Sequence, residues 1–311
     1  MTRIVVSGNA VMDFVFHVEA MPRTAEKHRA KAARIVGGGN AANAAVALAR
    51  LGAETLLAAR LGDDEMADMI VHSLHGDNVD TALTRRFEDH HSSFSSVFID
   101  DDGERQIVSF RDWDMPARAG WLQAALPVTF DAALSDTRWP EGAHAMMMAA
   151  RAIGRPGIID AEAPLADAHE AMAQASHVAF SAQGLRDYVG HDDLEAGLRE
   201  ADARLAACVL VTNGHEGTRW VEDGQMRRLA PPGVTAVDTL GAGDVWHGAF
   251  ALRIGEGAAL ADAVTFANVA ASIKCTRRGG RDGAPRLAEV EEFMSQDASA
   301  SLQEARSTAI A

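Results

Sequence analysis

The sequence predicts an α/β protein: a doubly wound, mainly parallel sheet flanked by helices, with a small second β-sheet beside it. Three observations lead there. Short apolar runs alternate with helix-period segments along most of the 311 residues, as expected of strands buried on both faces under crossover helices. Two stretches interrupt that rhythm with extended, partly polar patterning. The composition, 48% hydrophobic and 23% charged, is that of a globular chain long enough to bury a large core.

The elements follow in chain order. Residues 4–7 are apolar and β-branched and stop at Gly8, which reads as a first buried strand. Residues 14–18 and 28–36 read as extended. Residues 40–51, NAANAAVALARL, are alanine-rich at helical spacing, with Asn40 a suitable N-cap. A strand at 56–60 and a helix at 65–74 come next. Residues 92–111 form two strand-like arms around Asp102-Gly103, a hairpin signal. Strands are then expected at 133–135, 157–160, 177–181 and 208–212, with helices at 143–153, 165–175 and 193–207. This assigns 1–9, 37–91 and 112–295 to the main α/β domain. It assigns 10–36 and 92–111 to a β-sheet lid, and 296–311 to a flexible tail of small and polar residues.

A formal net charge of −15 argues against nucleic acid as a partner, since a phosphate backbone needs a basic footprint. The N-terminal apolar stretch is too short for a signal peptide and no run approaches a membrane span. The two cysteines, Cys208 and Cys275, make no disulfide framework. The expectation is a reduced, cytoplasmic enzyme with no membrane partner.

Two segments carry chemistry. GGGNAANAAVALARLG, from Gly37, is neither a Walker A loop nor a dinucleotide fingerprint. One reading is a tight strand-to-helix turn. Paired with Asp13, which follows the first strand, it also suits a polyhydroxylated ligand, whose hydroxyls each want a donor and an acceptor. In DTLGAGDVWHGAF, residues 238–250, glycines precede a helix and Asp244 stands at its mouth. Amides at a helix N-terminus hold an anion. A carboxylate there opposes a static phosphate, but it suits an alcohol that loses a proton as a phosphoryl group arrives. The alternative for Asp244 is a plain helix cap.

DTLGAGD resembles the D-T-x-G-A-G-D signature of the ribokinase, or PfkB, family of carbohydrate kinases. GGGNAANAA, followed by ARLGA at 49–53 and LGDDEMAD at 61–68, resembles that family's N-terminal signature. The resemblance implies a ribokinase-like fold with a β-sheet lid, and an enzyme using ATP and Mg²⁺. By it, Asp244 matches the catalytic base, and Gly241, Ala242 and Gly243 the anion hole. Asp13, Gly38, Gly39 and Asn43 match sugar contacts. TNGHEG at 212–217 resembles the turn on the ATP phosphates, giving Thr212, Gly214 and Gly217; Asn268 matches the border of the adenine pocket. Asp238 and the loop at 275–285 match the region of a monovalent cation, K⁺. Where the family carries N-x-x-E to organise magnesium, this chain has SAQG at 181–184.

The combination VMD, EKHRA, DTRW, DVWHGA and KCTRRGGRDG is most similar to the branch containing 6-deoxy-6-sulfofructose kinases, which phosphorylate the C1 hydroxyl of a sulfonated ketohexose. That points to Lys27, Arg111 and Arg138 as partners of an anionic group, with Ser109 on the lid where that branch tends to Asn. Fructose is the neutral counterpart. Alternatives on the same fold are 2-keto-3-deoxygluconate, ribose or a nucleoside stacked on Phe110 and Trp113. A non-catalytic sugar- or nucleotide-binding protein is a further one. A homodimer through the lids is expected, since exposed small sheets pair at their edges.

Overall fold

In the computed structural model, whose described residues are 1–296, β1 (Arg3–Gly8) runs into the sheet centre, with Ile4, Val5 and Val6 at 0% exposure. The chain then leaves the main sheet for β2 (Val11–His17) and β3 (Ala32–Gly38). It returns through α1 (Asn40–Arg50), β4 (Glu54–Gly62), α2 (Glu65–Gly76), β5 (Val79–Asp80) and β6 (Arg85–Phe87). A second excursion forms β7 (Phe94–Ile99) and β8 (Arg105–Phe110). The remainder is α3 (Gly120–Ala125), β9 (Ala132–Asp136), α4 (Pro140–Ala152), β10 (Gly157–Ala161), α5 (His169–Gln174) and β11 (His177–Ser181). Then come α6 (Ala182–Val189), α7 (Leu194–Arg204), β12 (Cys208–Thr212), β13 (Thr218–Glu222), β14 (Gln225–Leu229), α8 (Ala242–Gly255) and α9 (Leu260–Cys275).

The main sheet is ordered β14-β13-β12-β11-β10-β9-β1-β4-β5, with β6 also pairing β4. It is parallel from β12 across to β5, and antiparallel only at the β12-β13-β14 edge. The strand period of two separates its faces. Ile4 and Val6 pack with α1, α8 and α9 through Ala45, Trp246, Phe250 and Ala267. Val5 packs on the other face with Trp139, Met146, Met147 and Phe180. α8 and α9 are apolar nearly all round, because they are core helices rather than surface ones. The second sheet is β3-β2-β7-β8, antiparallel except for the parallel β2-β7 pair.

The structure corrects several expectations. Asn40 does not cap α1. Gly39 holds the cap position, and the first-turn amide of Ala41 donates instead to the buried carboxylate of Asp136 at 3.0 Å. Asn40 is thereby free to donate to Glu162 Oε2 at 2.7 Å. The helix expected over 165–175 is confined to α5, because the amide of Leu165 is drawn to Asp187 Oδ2 at 2.8 Å and the chain turns there first. The helix expected over 193–207 starts after Asp193, which caps it through the amides of Glu195 and Ala196, and ends at an extended Leu205. The β13-β14 hairpin and α6 are absent from the sequence reading. The tail assigned to 296–311 lies, from 297 onward, outside the described residues. Among the described residues no helix is long and apolar enough to cross a membrane.

Candidate active site

The parallel strands end beneath the second sheet, and a cavity of about 530 Å³ opens between the two. Asn9, Asp13, Gly39, Asn40, Ser109, Arg111, Arg138 and Asp238 are among its lining residues. Arg34 and Arg105, which the sequence reading did not single out, also line it. Lys27 does not: it is exposed in the β2-β3 connection, so its expected place beside the ligand is not where the chain puts it.

Asp13 sits mid-strand on β2, where alternation turns it toward the main sheet. Burial raises its carboxyl above the ordinary range, opposed by Ser95 and the positive charge of Arg281. Gly38 must be glycine beside it, since a Cβ there would lie 2.3 Å from Asp13 Oδ2. Arg281, itself 3% exposed, packs against Gly37 and donates to Ser73 Oγ at 2.7 Å. The glycine run therefore serves two close approaches, one by a carboxylate and one by a guanidinium.

One turn into α1, Asn43 donates from Nδ2 to Asp244 Oδ2 at 2.7 Å, joining the two motifs across 201 residues of chain. Asp244 lies in the first turn of α8, entered through Gly241 at φ 76°, a left-handed conformation that favours glycine. Its pKa is pushed up to about 7, by burial first and then by the Asp160 carboxylate, with Asn43 opposing. Asp160 is 5% exposed and raised well above the carboxylate range by burial and the neighbouring Glu162. His247, 3% exposed, is kept neutral by burial; its Nδ1 stands 2.8 Å from the Gly243 carbonyl and its Nε2 3.5 Å from Asp160 Oδ1. Nε2 also faces the Ala179 carbonyl at 3.3 Å, so the neutral ring can donate at only one of its two carbonyl contacts, and an N–H on Nδ1 would hold the first turn of α8.

The first-turn amides are not all free. Ala242 N–H donates to the Thr239 carbonyl at 3.1 Å and Val245 N–H to the Gly241 carbonyl at 3.0 Å. Those of Gly243 and Asp244 have no helical acceptor by position. The expected anion hole of Gly241, Ala242 and Gly243 is corrected at Ala242, whose donor is spent.

Asp238 is a junction. Its Oδ1 accepts from Leu240 N at 2.9 Å and its Oδ2 from Gly279 N at 3.1 Å, and Arg105 of β8 stands 3.5 Å away. The expected cation position beside it is met by a side chain: Lys274, at 0% exposure, donates from Nζ to the Asp238 carbonyl at 2.7 Å and lies 3.8 Å from Oδ2. The residues there do not fit a further monovalent ion.

On the β12 side, Thr212 ends the strand and the Gly214–Glu216 turn follows; Gly217, at φ 85°, closes it against the Leu229 carbonyl. Asn268, matched to the border of the adenine pocket, has its carbonyl oxygen and one of its two N–H donors engaged within the protein. Its Oδ1 accepts from Thr218 Oγ1 at 3.0 Å and Trp246 Nε1 at 2.8 Å, and its Nδ2 donates to Leu229 O at 3.3 Å. It ties α8 and α9 to the β13-β14 hairpin. In SAQG, Ser181 Oγ caps α6 by accepting from Gly184 N at 2.9 Å. A Cβ on Gly184 would lie 2.0 Å from the Ala161 carbonyl, so no acidic side chain fits there.

A carboxylate poised near neutrality, beside free amides at a helix mouth and under a second sheet, marks an α/β enzyme of the phosphotransferase class. The chain belongs to the pfkB family of carbohydrate kinases, whose sequence profile matches residues 1–287, and it is an ATP-dependent kinase. It is 27% identical over 309 residues to the ribokinase of Bacillus subtilis, covering 95% of this chain and 100% of that one. It is 25% identical over 325 residues to the fructokinase of Vibrio alginolyticus, with 95% and 100% covered. Among solved structures, a ribokinase-like protein from Agrobacterium tumefaciens superposes with a TM-score of 0.87 at 35% identity, covering 95% of this chain and 98% of that one.

Proposed function

We propose that the chain transfers the γ-phosphoryl group of ATP to a primary hydroxyl of a ketohexose-type sugar, with 6-deoxy-6-sulfofructose, phosphorylated at C1, as the first candidate and fructose as its neutral counterpart. One observation carries the chemistry: Asp244, raised to about 7 and fixed by Asn43, at the free-amide mouth of α8. Asp244 takes the hydroxyl proton. The Gly241, Gly243 and Asp244 amides hold the charge developing on the transferring phosphoryl oxygens. Asp13, Gly38, Gly39 and Asn43 orient the sugar, with Ser109 reaching it from the small sheet, which acts as a lid. Thr212, Gly214 and Gly217 hold the nucleotide phosphates, and Asn268 acts through the hairpin it braces rather than on the base.

Mg²⁺ fits this donor set as an ion carried by the nucleotide. Among the described residues no three His, Cys, Asp or Glu side chains form a ready cage, which suits an ion that keeps several waters. Glu162, partly exposed and near enough to bias Asp244, is the carboxylate that would bind those waters. When bound, the ion would supply charge neutralisation on the nucleotide phosphates.

The anionic substituent is supported by arginine. Arg138 pairs with Glu162 at 3.0 Å, but Arg111 and Arg34, on opposite edges of the small sheet, have no carboxylate partner among the described residues. Arg111 lies 4.7 Å over the Trp113 ring and donates to the Arg138 carbonyl, which holds its guanidinium at the cavity. Ribose is the second reading, favoured by the ribokinases among the relatives. Our reading includes a homodimer through the lids, resting on exposed Ile35, Val108 and Phe110 on that sheet. It also places the enzyme in a reducing cytoplasm, resting on its two free cysteines.

The test is ADP release from Mg·ATP with 6-deoxy-6-sulfofructose, fructose, ribose, 2-keto-3-deoxygluconate and adenosine in parallel. A sulfonated ketose favoured in kcat/KM, with that preference lost in Arg111→Ala, supports the reading. Preference for ribose, or a preference unmoved by Arg111→Ala and Arg34→Ala, removes the anionic substituent and leaves the kinase.

A further inference from the structure

Lys274 is the most completely buried cation of the described chain, and burial lowers its pKa. It stands in the last turn of α9, and the two loops that follow and precede it in space meet at Asp238. The 237–238 backbone donates twice to the Cys275 carbonyl, at 2.8 and 3.1 Å. The Asp238 carboxylate receives Leu240 from the loop entering α8, and Gly279 and Gly280 from the loop leaving α9. The Asp238 carbonyl takes the Lys274 ammonium. A Cβ added at Gly283 would lie 3.5 Å from the lysine Cε, so the following loop passes close over the stem as well as the head. Burying a charge this far is costly unless it is paired. The pairing here is with one carbonyl oxygen and one carboxylate, the donor types that a monovalent cation takes.

We propose that the Lys274 ammonium is a built-in replacement for a monovalent cation: it fixes the turn at 238–244, and with it the amides facing Asp244, so that neither turnover nor folding of this protein depends on added potassium. The effect is that of a positioning residue, acting on the reacting groups through the turn. It rests on the kinase reading for its rate arm but not for its stability arm. A bound ion stabilises the native state in proportion to the logarithm of its concentration; a covalently attached ammonium does not.

The experiment has two readouts. For the wild type, Tm and the rate of sugar-dependent ADP release are measured with tetramethylammonium as the only added cation, and again with potassium at equal ionic strength. The expected result is no difference in either beyond two-fold in rate. A rate rising ten-fold or more with potassium, or a Tm that climbs with each decade of potassium, overturns the proposal. For Lys274→Ala, the expected result is a lowered Tm and rate, both restored in part by potassium or methylammonium and not by tetramethylammonium. A variant that keeps both values, or loses them and responds to neither small cation, also overturns it. Should Lys274→Ala fail to fold, the wild-type arms decide. Absence of ADP release from the wild type in every cation would instead remove the kinase reading, and the Tm arms would still judge Lys274.

Discussion

At Asp244 two demands oppose each other. Its carboxylate must be ionised to accept a proton, yet burial and the Asp160 carboxylate favour its neutral form and lift its pKa to about 7. The functional consequence is an acid limb: kcat/KM should fall about ten-fold per unit as pH drops below about 7, and Asn43→Ala, which removes a hydrogen bond to the charged form, should move that limb upward. Asp244→Asn should lower kcat by about 10²–10⁴ with substrate binding largely kept. The stability consequence has the opposite sign. A carboxyl whose folded pKa exceeds its unfolded value binds its proton more tightly in the native state, so the fold loses stability as pH rises from the unfolded carboxylate range to about 7. Asp244→Asn should therefore have the higher Tm at pH 8, and the gap should close near pH 4. A variant with full turnover, or one less stable at pH 8, would refute the assignment at this residue.

At the scale of elements, legibility followed the local signal. The strand at 4–7 and the helix at 65–74 were readable because period and punctuation agree, and the hairpin at 92–111 because Asp102-Gly103 divides two strand-like arms. The β13-β14 hairpin carries the same signal at Asp223-Gly224, the former at φ 51°, and was there to be read. What no local pattern announces is the long-range donor. The cap of α1 comes from Asp136 on β9, and the fixing of Asp244 comes from Asn43, so both depend on strand order rather than on spacing. Asn268 shows the converse, because a polar residue matched to a pocket border also braces α8 and α9 against the β13-β14 hairpin. α6 makes an element-scale prediction. Its start is pressed against β10 at Gly184, so Gly184→Glu should not restore a metal-binding carboxylate. It should destabilise the protein by about 1–3 kcal/mol through overpacking, read as a lowered denaturation midpoint, with the Mg²⁺ concentration for half-maximal rate unchanged in whatever fraction folds. A folded variant needing less Mg²⁺ would show that the contact yields.

Taken whole, the molecule builds one cavity from two sheets, and the two carboxylates proposed to take the proton and to orient the sugar belong to different ones: Asp244 follows the main sheet, Asp13 lies in the small one. Turnover then requires the small sheet to stand correctly over the turn at 238–244. Among the described residues, the charged contact spanning them is Arg105 of β8 with Asp238, at 3.5 Å, with 43% of the arginine side chain exposed. An ion pair this exposed contributes about 0–1 kcal/mol, so its value to the fold is small. On the proposed reading its value to function is positional: a small sheet that closes as a lid would make this contact when down and would shield the transferring phosphoryl group from water. Arg105→Ala should therefore leave Tm within a degree or two of wild type, as expected for a loss under about 1 kcal/mol in a chain of this size. It should raise KM for the sugar several-fold, and increase the share of ATP hydrolysed without phosphorylated product, measured as ADP released in excess of sugar phosphate formed. Asp238→Asn should do this and more, since Lys274, Leu240 and Gly279 lose part of their partner at the same time. If Arg105→Ala instead lowered Tm by many degrees while leaving the ratio of ADP to sugar phosphate at one, the contact would be a structural tie and the small sheet a fixed wall rather than a closing lid.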